Sequence, residues 1–518
     1  MRHTIHQKIH FLCLLTVVIC LPVSKYVLSM GGIFMAINWA LEWNWKEKWQ
    51  LLMKKKSIAV IGCFYFALAL TLFFTDNYKQ GFDDLIVQLP LLYGPFVIGT
   101  SKPLAQKQYF QICKAFVLSV VVATIISVIF YCSHEIGDIR KISLYISHIR
   151  FSLLILLALC FSIFYTYTQI DALSTSATTY RWVEIFCYTI FAIWFIIYLF
   201  IAQTLTGIGI AIFLAFFTLI WFFIKVKKSA VRIVFSLFLI MLISFCGYTG
   251  YLCYTFLHVE KTAVATLTQF SKSGSLYQHD FNSIIENGQY AGLYVAPDEL
   301  AQTWQEQSQL PYNDTLKNVL IRYLNSKSLT KDREGVLALS PIDLQNIENG
   351  IPNYYYTERF GIKKALYPIL FSISSHQINN STLLQRVELW KMSIFAIQKH
   401  FWTGGGIGDH KLAIDQEIIA HQSTLMEKKN MGAHNQFLSY FLIGGVFLFL
   451  YFVFILIYPV IFLKKYKNLS YLLFFFIIFW SLFTEDTLGT QTGVTLYAFF
   501  NGFLLYGKEE TPISTIES

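Results

Sequence analysis

Hydrophobic residues along this chain fall into long blocks separated by short polar joints. A membrane-crossing helix needs roughly 20 predominantly apolar residues. On that rule the blocks predict about twelve spans, near 9–24, 26–41, 57–75, 84–100, 111–131, 150–168, 183–200, 205–224, 231–257, 435–463, 469–484 and 490–507. One stretch breaks the pattern: residues 258–433 have ordinary soluble composition. Within it "LLQRVELWKMSIFAIQKH" places apolar residues at helical spacing, which predicts a mainly helical cap. The expected organisation is therefore 1–257 with nine spans, 258–433 as the cap, 434–507 with three spans, and 508–518 as a tail. The fold class is an all-α polytopic membrane protein.

The composition agrees. The 518 residues are 55% hydrophobic and only 14% charged, with mean hydropathy +0.51, which excludes a water-soluble globule. The net charge of +9 does not point to nucleic acid, because the basic residues cluster at the joints. Lys46, Lys48, Lys54, Lys55 and Lys56 follow the second run, Lys102 and Lys107 the fourth, Lys225, Lys227 and Lys228 the eighth, and Lys464, Lys465 and Lys467 the tenth. Basic residues in short loops stay in the cytoplasm, so all four clusters share one side, both termini are expected to be cytoplasmic, and the cap faces out. The first run lacks a small-residue cleavage site and is expected to remain as a helix. All nine cysteines lie between Cys13 and Cys253 and the cap has none, so neither a disulfide framework nor a zinc site is implied. A bacterial inner-membrane protein with a periplasmic cap fits this layout.

Ionisable residues at helix ends on the outer side are the candidates for chemistry. Arg150, in "YISHIRFSLLILLAL", enters the sixth run from outside; alone it reads equally as an interfacial anchor. In the cap, Arg386 and Trp390 share a helix face at i and i+4, and a solvated amphipathic helix accounts for the arginine taken singly. The glycines 404, 405, 406 and 408 follow a helix instead of opening one and lack a following Lys-Ser/Thr, so they read as a tight turn and not a nucleotide loop. His434 and Asn435, in "MGAHNQFLSYFLIGG", open the tenth run. A histidine there is commonly a cap, but it is also the side chain best suited to take a proton near neutral pH. Glu485 and Asp486 end the eleventh run on the same side, either as a polar turn or as partners of the histidine or an arginine. One acidic pair without a neighbouring histidine in sequence does not make a metal site. Tyr354, Tyr355 and Tyr356 offer flat faces for a sugar or, more simply, cap core.

Taken in order, "SHIRFS", the late large segment, "RVELWKMSIFAIQKHFWTGGGIGDH", "GAHNQFLSYFLIGGVFLFLYF" and "EDTLGTQTGVTLYAFFNGFLL" resemble the O-antigen ligase and polymerase superfamily of bacterial envelope glycosyltransferases. The resemblance implies a GT-C-like membrane fold. It also implies transfer of a glycan from undecaprenyl diphosphate to an acceptor sugar hydroxyl, with lipid A-core as the ligase acceptor and neither cofactor nor metal. It further implies His434 as the catalytic residue and Arg150 and Arg386 as diphosphate-binding residues, with Asn435, Trp390 and Glu485 in supporting places. One departure is the absence of an arginine in "AQTLTGIGIAI", where many members carry one near the start of the eighth span. A polymerase or a protein O-oligosaccharyltransferase shares these motifs. The alternative from another class is a lipid-linked glycan transporter or flippase; against it, the ionisable candidates gather on one face and the chain shows no pair of similar halves. The expected partners are the lipid-linked donor, the glycan acceptor and membrane lipids, with no nucleic acid.

Overall fold

The computed structural model describes residues 2–134, 139–173, 178–225, 229–259, 267–357, 362–375 and 382–508. Lys227 and Lys228 of the third basic cluster, and nearly all of the 508–518 tail, lie outside these. The chain forms two compact units, one of residues 1–218 with 389–518 and one of residues 219–388.

The first unit is a helix bundle. Its elements include α1 (Arg2–Cys20), α2 (Lys25–Leu41), α3 (Gln106–Ser133) and α4 (His148–Leu173). It also holds the C-terminal part of α5 (Thr382–Lys399), then α6 (Gln436–Ile461), α7 (Leu469–Thr484) and α8 (Gln491–Tyr506). Among the described residues of the whole chain, nine helices are long and apolar enough to cross a membrane. The other three predicted runs are also helical but shorter: α2 has 17 residues and α7 and α8 have 16 each. The protein is thus all-α and polytopic. Outward-facing Ile129, Ile163, Phe186 and Ile193 are exposed hydrophobics, as expected where lipid is the solvent.

The last helix is the axis of this unit. The sequence "QTGVTLYAFFNGFLLY" is apolar on every face, so it cannot sit at a water-facing edge, and α8 is buried along most of its length. Phe500 on α8 meets Phe116 of α3 at 4.8 Å between centroids and Phe161 of α4 at 5.7 Å. Its 16 residues rise roughly 24 Å at 1.5 Å each, which gives the bundle two poles. At the C-terminal pole, Gly507 O accepts from Leu104 N (2.9 Å), the Tyr506 hydroxyl donates to Ser57 Oγ (2.9 Å) and Lys55 lies over the Tyr506 ring. Two of the basic joints therefore meet there. At the N-terminal pole lie the loop 485–490 and the starts of α4 and α6, and with them Arg150, His434, Asn435 and Glu485.

Strands occur in the described residues only as one antiparallel hairpin of the second unit, β1 (Gln278–Glu286) with β2 (Gln289–Val295). Helical spacing did not predict it, but its turn signal is present: Asn287 (φ +54°) and Gly288 (φ +75°) supply the two positive-φ positions of a tight hairpin turn. The strands and the helices Pro297–Gln307, Asp314–Ser326 and Pro341–Glu348 enclose a core of Leu300, Trp304, Leu320, Tyr323 and Leu324. Buried Glu286 is paired with Arg322 at 2.8 Å and accepts from the Tyr367 hydroxyl at 3.0 Å. Asp343 takes Lys327 at 2.6 Å and the Tyr323 hydroxyl at 2.7 Å.

Candidate active site

The site is organised by a carboxylate, Asp486, at the start of the polar turn after α7. Its Oδ2 accepts from the backbone N of His434 at 2.9 Å, and its Oδ1 accepts from Asn435 N at 3.2 Å and Ser439 Oγ at 2.5 Å. These three groups belong to the first turn of α6 and the residues before it, whose N–H groups have no partner inside the helix. Asn435 completes the cap, its Oδ1 accepting from Phe437 N and Leu438 N at 3.0 and 3.2 Å. Gly432 is required by this closeness, because a Cβ there would stand 2.5 Å from Asp486 Oδ2.

His434 is held in a left-handed conformation, φ +48°, which a non-glycine residue adopts at a cost. The consequence is a defined direction for its ring. Nδ1 lies 3.3 Å from Glu485 Oε2, with the carboxylate side chain 7% exposed and the histidine side chain 36%. Nδ1 is thus turned to the buried acid, which orients the imidazole.

Arg150 reaches the same turn from α4. Its Nη2 donates to the backbone O of Asp486 at 3.0 Å and its Nη1 to Ser147 Oγ at 3.1 Å. Its Nε is buried and unpartnered. Asp486 thus ties the histidine by its side chain and the arginine by its main chain, so two residues far apart in sequence share one anchor. His148 lies nearby but faces away from this turn, and its Nε2 bonds Ala202 O at 2.7 Å, joining the start of α4 to a neighbouring helix.

The turn itself is clamped on its other side. Gln88 Nε2 donates to Leu488 O (2.7 Å), Leu488 N donates to Gln436 Oε1 (2.8 Å) and the Tyr440 hydroxyl donates to Gln88 Oε1 (3.2 Å). All are buried, so the geometry of 485–488 is overdetermined. Gln88, Gln436 and the anchoring role of Asp486 were not legible in the sequence; the only local signal was the Glu485–Asp486 pair. His410 was also missed. Burial holds its pKa below the usual histidine range, against the opposing fields of Asp84 and Asp486.

The glycine turn after α5 is a structural dovetail. Gly405 N donates to Leu442 O (2.8 Å) and Gly406 N to Ile443 O (3.0 Å), where α6 is kinked at Gly444 and Gly445. Trp390, on α5 in the same unit, buries an indole N–H with no partner. Arg386 precedes it by one turn of α5, on the part assigned to the second unit, and is half-buried. Of the three tyrosines, Tyr356 packs on Tyr367 at 4.7 Å between centroids and Tyr354 stays partly exposed beneath Lys327. No cluster of three or more metal-ligating side chains occurs among the described residues.

Residues 350–453 match the family model of O-antigen ligase. The match supports the resemblance to the O-antigen ligase and polymerase superfamily over this segment. It runs through Arg386, Trp390, the glycine turn, His434, Asn435 and the kinked first half of α6. A match of this kind points to a glycosyltransferase-type enzyme, and the long apolar helices to a multi-pass membrane protein. No curated protein matches the chain.

Proposed function

We propose that this O-antigen ligase-like protein moves a glycan from undecaprenyl diphosphate to an acceptor sugar hydroxyl at the periplasmic face of the inner membrane, with lipid A-core as the acceptor. The observation that carries the reading is the common anchoring of His434 and Arg150 on Asp486, inside a chain whose late segment matches the ligase family. The acceptor hydroxyl is a weak nucleophile. The His434 imidazole takes its proton as the oxygen attacks the anomeric carbon, and Glu485 at Nδ1 holds the ring and steadies the imidazolium that forms.

As the new glycosidic bond forms, the bond from the anomeric carbon to the diphosphate oxygen breaks and negative charge grows on the leaving group. A planar guanidinium meets phosphate oxygens in pairs and stays charged when desolvated. Arg150 offers its buried Nε and the charge of its fork for this purpose, and Arg386 is the second diphosphate-binding cation of the proposal. Trp390 contributes an indole N–H with no protein partner. Neither a metal nor a cofactor takes part in this scheme.

His434→Ala tests the reading, in the host by the surface polysaccharide profile and in vitro by transfer from a synthetic undecaprenyl-diphosphate glycan. A histidine base contributes typically 10²–10⁴-fold, so transfer should fall by at least about 100-fold with polymer accumulating on the carrier lipid. Loss of long chains with single repeats retained would assign a polymerase instead of a ligase. Undiminished transfer by a folded, abundant His434→Ala protein would refute the proposal.

A further inference from the structure

The C-terminal pole of α8, roughly 24 Å along that helix from the His434 turn, holds a polar cavity lined by none of the residues placed in the transfer scheme. Its volume is about 290 Å³, and its lining includes Lys8 and His10 of α1, Asn38 of α2, Glu42, Lys102, and Gln108 in the first turn of α3. A liquid water occupies about 30 Å³, so this space takes a phosphate group together with the first atoms of whatever carries it. We infer that this cavity binds a phosphate group, carried by a lipid of the adjoining leaflet or free in solution.

Four features set the sign of the ligand. His10 is only 8% exposed, and its Nδ1 is buried without a partner. A buried unpaired ring nitrogen is costly, and the Nδ1–H tautomer would donate to a ligand oxygen. Lys8 and Lys102 stand exposed at the cavity, and neither forms an ion pair among the described residues. Glu42, the carboxylate in the lining, is already paired with buried Lys48 at 3.2 Å and lies 3.8 Å from His3 Nδ1. Asn38 is likewise committed, bonded to the His6 ring at 2.8 Å and to His6 O at 3.0 Å. Finally, Ala105 and Gln108 bring the start of the 28-residue helix α3 to the cavity. The first-turn N–H groups of a helix lack internal partners and carry the positive end of its dipole, which favours an anion. The Ala105 N–H donates to Gln108 Oε1 at 3.3 Å, so the groups left for phosphate oxygens are two cations, one ring nitrogen and the first-turn N–H groups that follow Ala105.

The test uses the full-length chain in detergent, stripped of bound lipid, with affinity read from the shift of the unfolding midpoint on titration. Phosphatidylglycerol, diacylglycerol with the same acyl chains, and sodium phosphate against sodium chloride at equal ionic strength form the three arms. Phosphatidylglycerol should bind at least tenfold more tightly than diacylglycerol. Lys8→Gln/Lys102→Gln should weaken it about fivefold per lysine removed, and His10→Leu should weaken it further. Stabilisation by inorganic phosphate that displaces phosphatidylglycerol and also needs the lysines would identify the free anion as the ligand. The inference is overturned if both lipids bind equally and phosphate has no effect, or if the exposed-lysine double variant, folded with an unchanged elution volume, binds as the wild type does.

Discussion

Replacing Asp486 with alanine removes what holds His434 in place while leaving the backbone carbonyl that Arg150 uses, although it also takes away a negative charge beside that guanidinium. The carboxylate accepts three hydrogen bonds, from His434 N, Asn435 N and Ser439 Oγ. Hydrogen bonds to a charged partner contribute about 1.5–3 kcal/mol each, so the two backbone bonds together supply about 3–6 kcal/mol. Against this stands a left-handed backbone at His434, which costs roughly 1–2 kcal/mol. The wild-type balance holds the strained conformation; with alanine it reverses, and residues 432–435 relax. The imidazole then loses its direction, and with it the 10²–10⁴-fold that a positioned base contributes. Initial rates of glycan transfer in nanodiscs should therefore fall by about 100-fold or more in Asp486→Ala, close to the loss in His434→Ala. The double variant should be no slower than His434→Ala alone, because both changes remove one unit. Retention of more than about a third of the wild-type rate by folded Asp486→Ala, or multiplicative losses in the double variant, would refute this account.

Gly445→Ala should be poorly tolerated, since its φ is +64° and a Cβ would stand 2.2 Å from Trp402 O; a loss of thermal stability of about 3 kcal/mol is expected, and a neutral result would remove the dovetail from the argument. Gly432→Ala should reproduce part of the Asp486→Ala defect in transfer while leaving helix content by circular dichroism unchanged. Burial lowers the Lys331 pKa to about 8, with its Nζ donating to Asn325 Oδ1 at 2.8 Å. A base whose folded pKa lies below its unfolded value of about 10.4 destabilises the fold while charged. The penalty is full below about pH 8 and is relieved as pH rises from about 8 to about 10, so the midpoint of denaturant unfolding should climb over that interval and the climb should vanish in Lys331→Met. Asp343 behaves oppositely in acid: burial opposes its charge, but bonds from Lys327, Tyr323 and Ser340 hold its pKa at about 2. Its stabilisation is present above about pH 4 and should be lost as pH falls towards 2, a slope that Asp343→Asn would flatten.

The blocks of apolar residues determined the helices by themselves. A run of roughly 20 greasy residues has no better way to satisfy its backbone in lipid than to coil, so the runs at 111–131, 150–168 and 435–463 became Gln106–Ser133, His148–Leu173 and Gln436–Ile461. The central position of 491–506 was not decided by its apolar faces, which lipid would have accepted as readily, but by packing against neighbouring helices. The His-Asn pair and the glycines were visible because capping and left-handed backbone demand particular residue types. What the sequence did not contain was the partner of each group. Asp486 read as one of two acids in a polar turn, and nothing local shows that one of its carboxylate oxygens takes a backbone N–H from position 434 while its carbonyl takes a guanidinium from position 150. Gln88, Gln436 and Tyr440 carry no local signal of a role, yet they form one buried clamp. Such contacts depend on which helix ends packing brings together, and hydrophobic burial fixes faces without naming neighbours. The Asn-Gly hairpin in the second unit shows the same division, since its turn was encoded locally but its place in a core with Trp304 and Tyr323 was decided by packing.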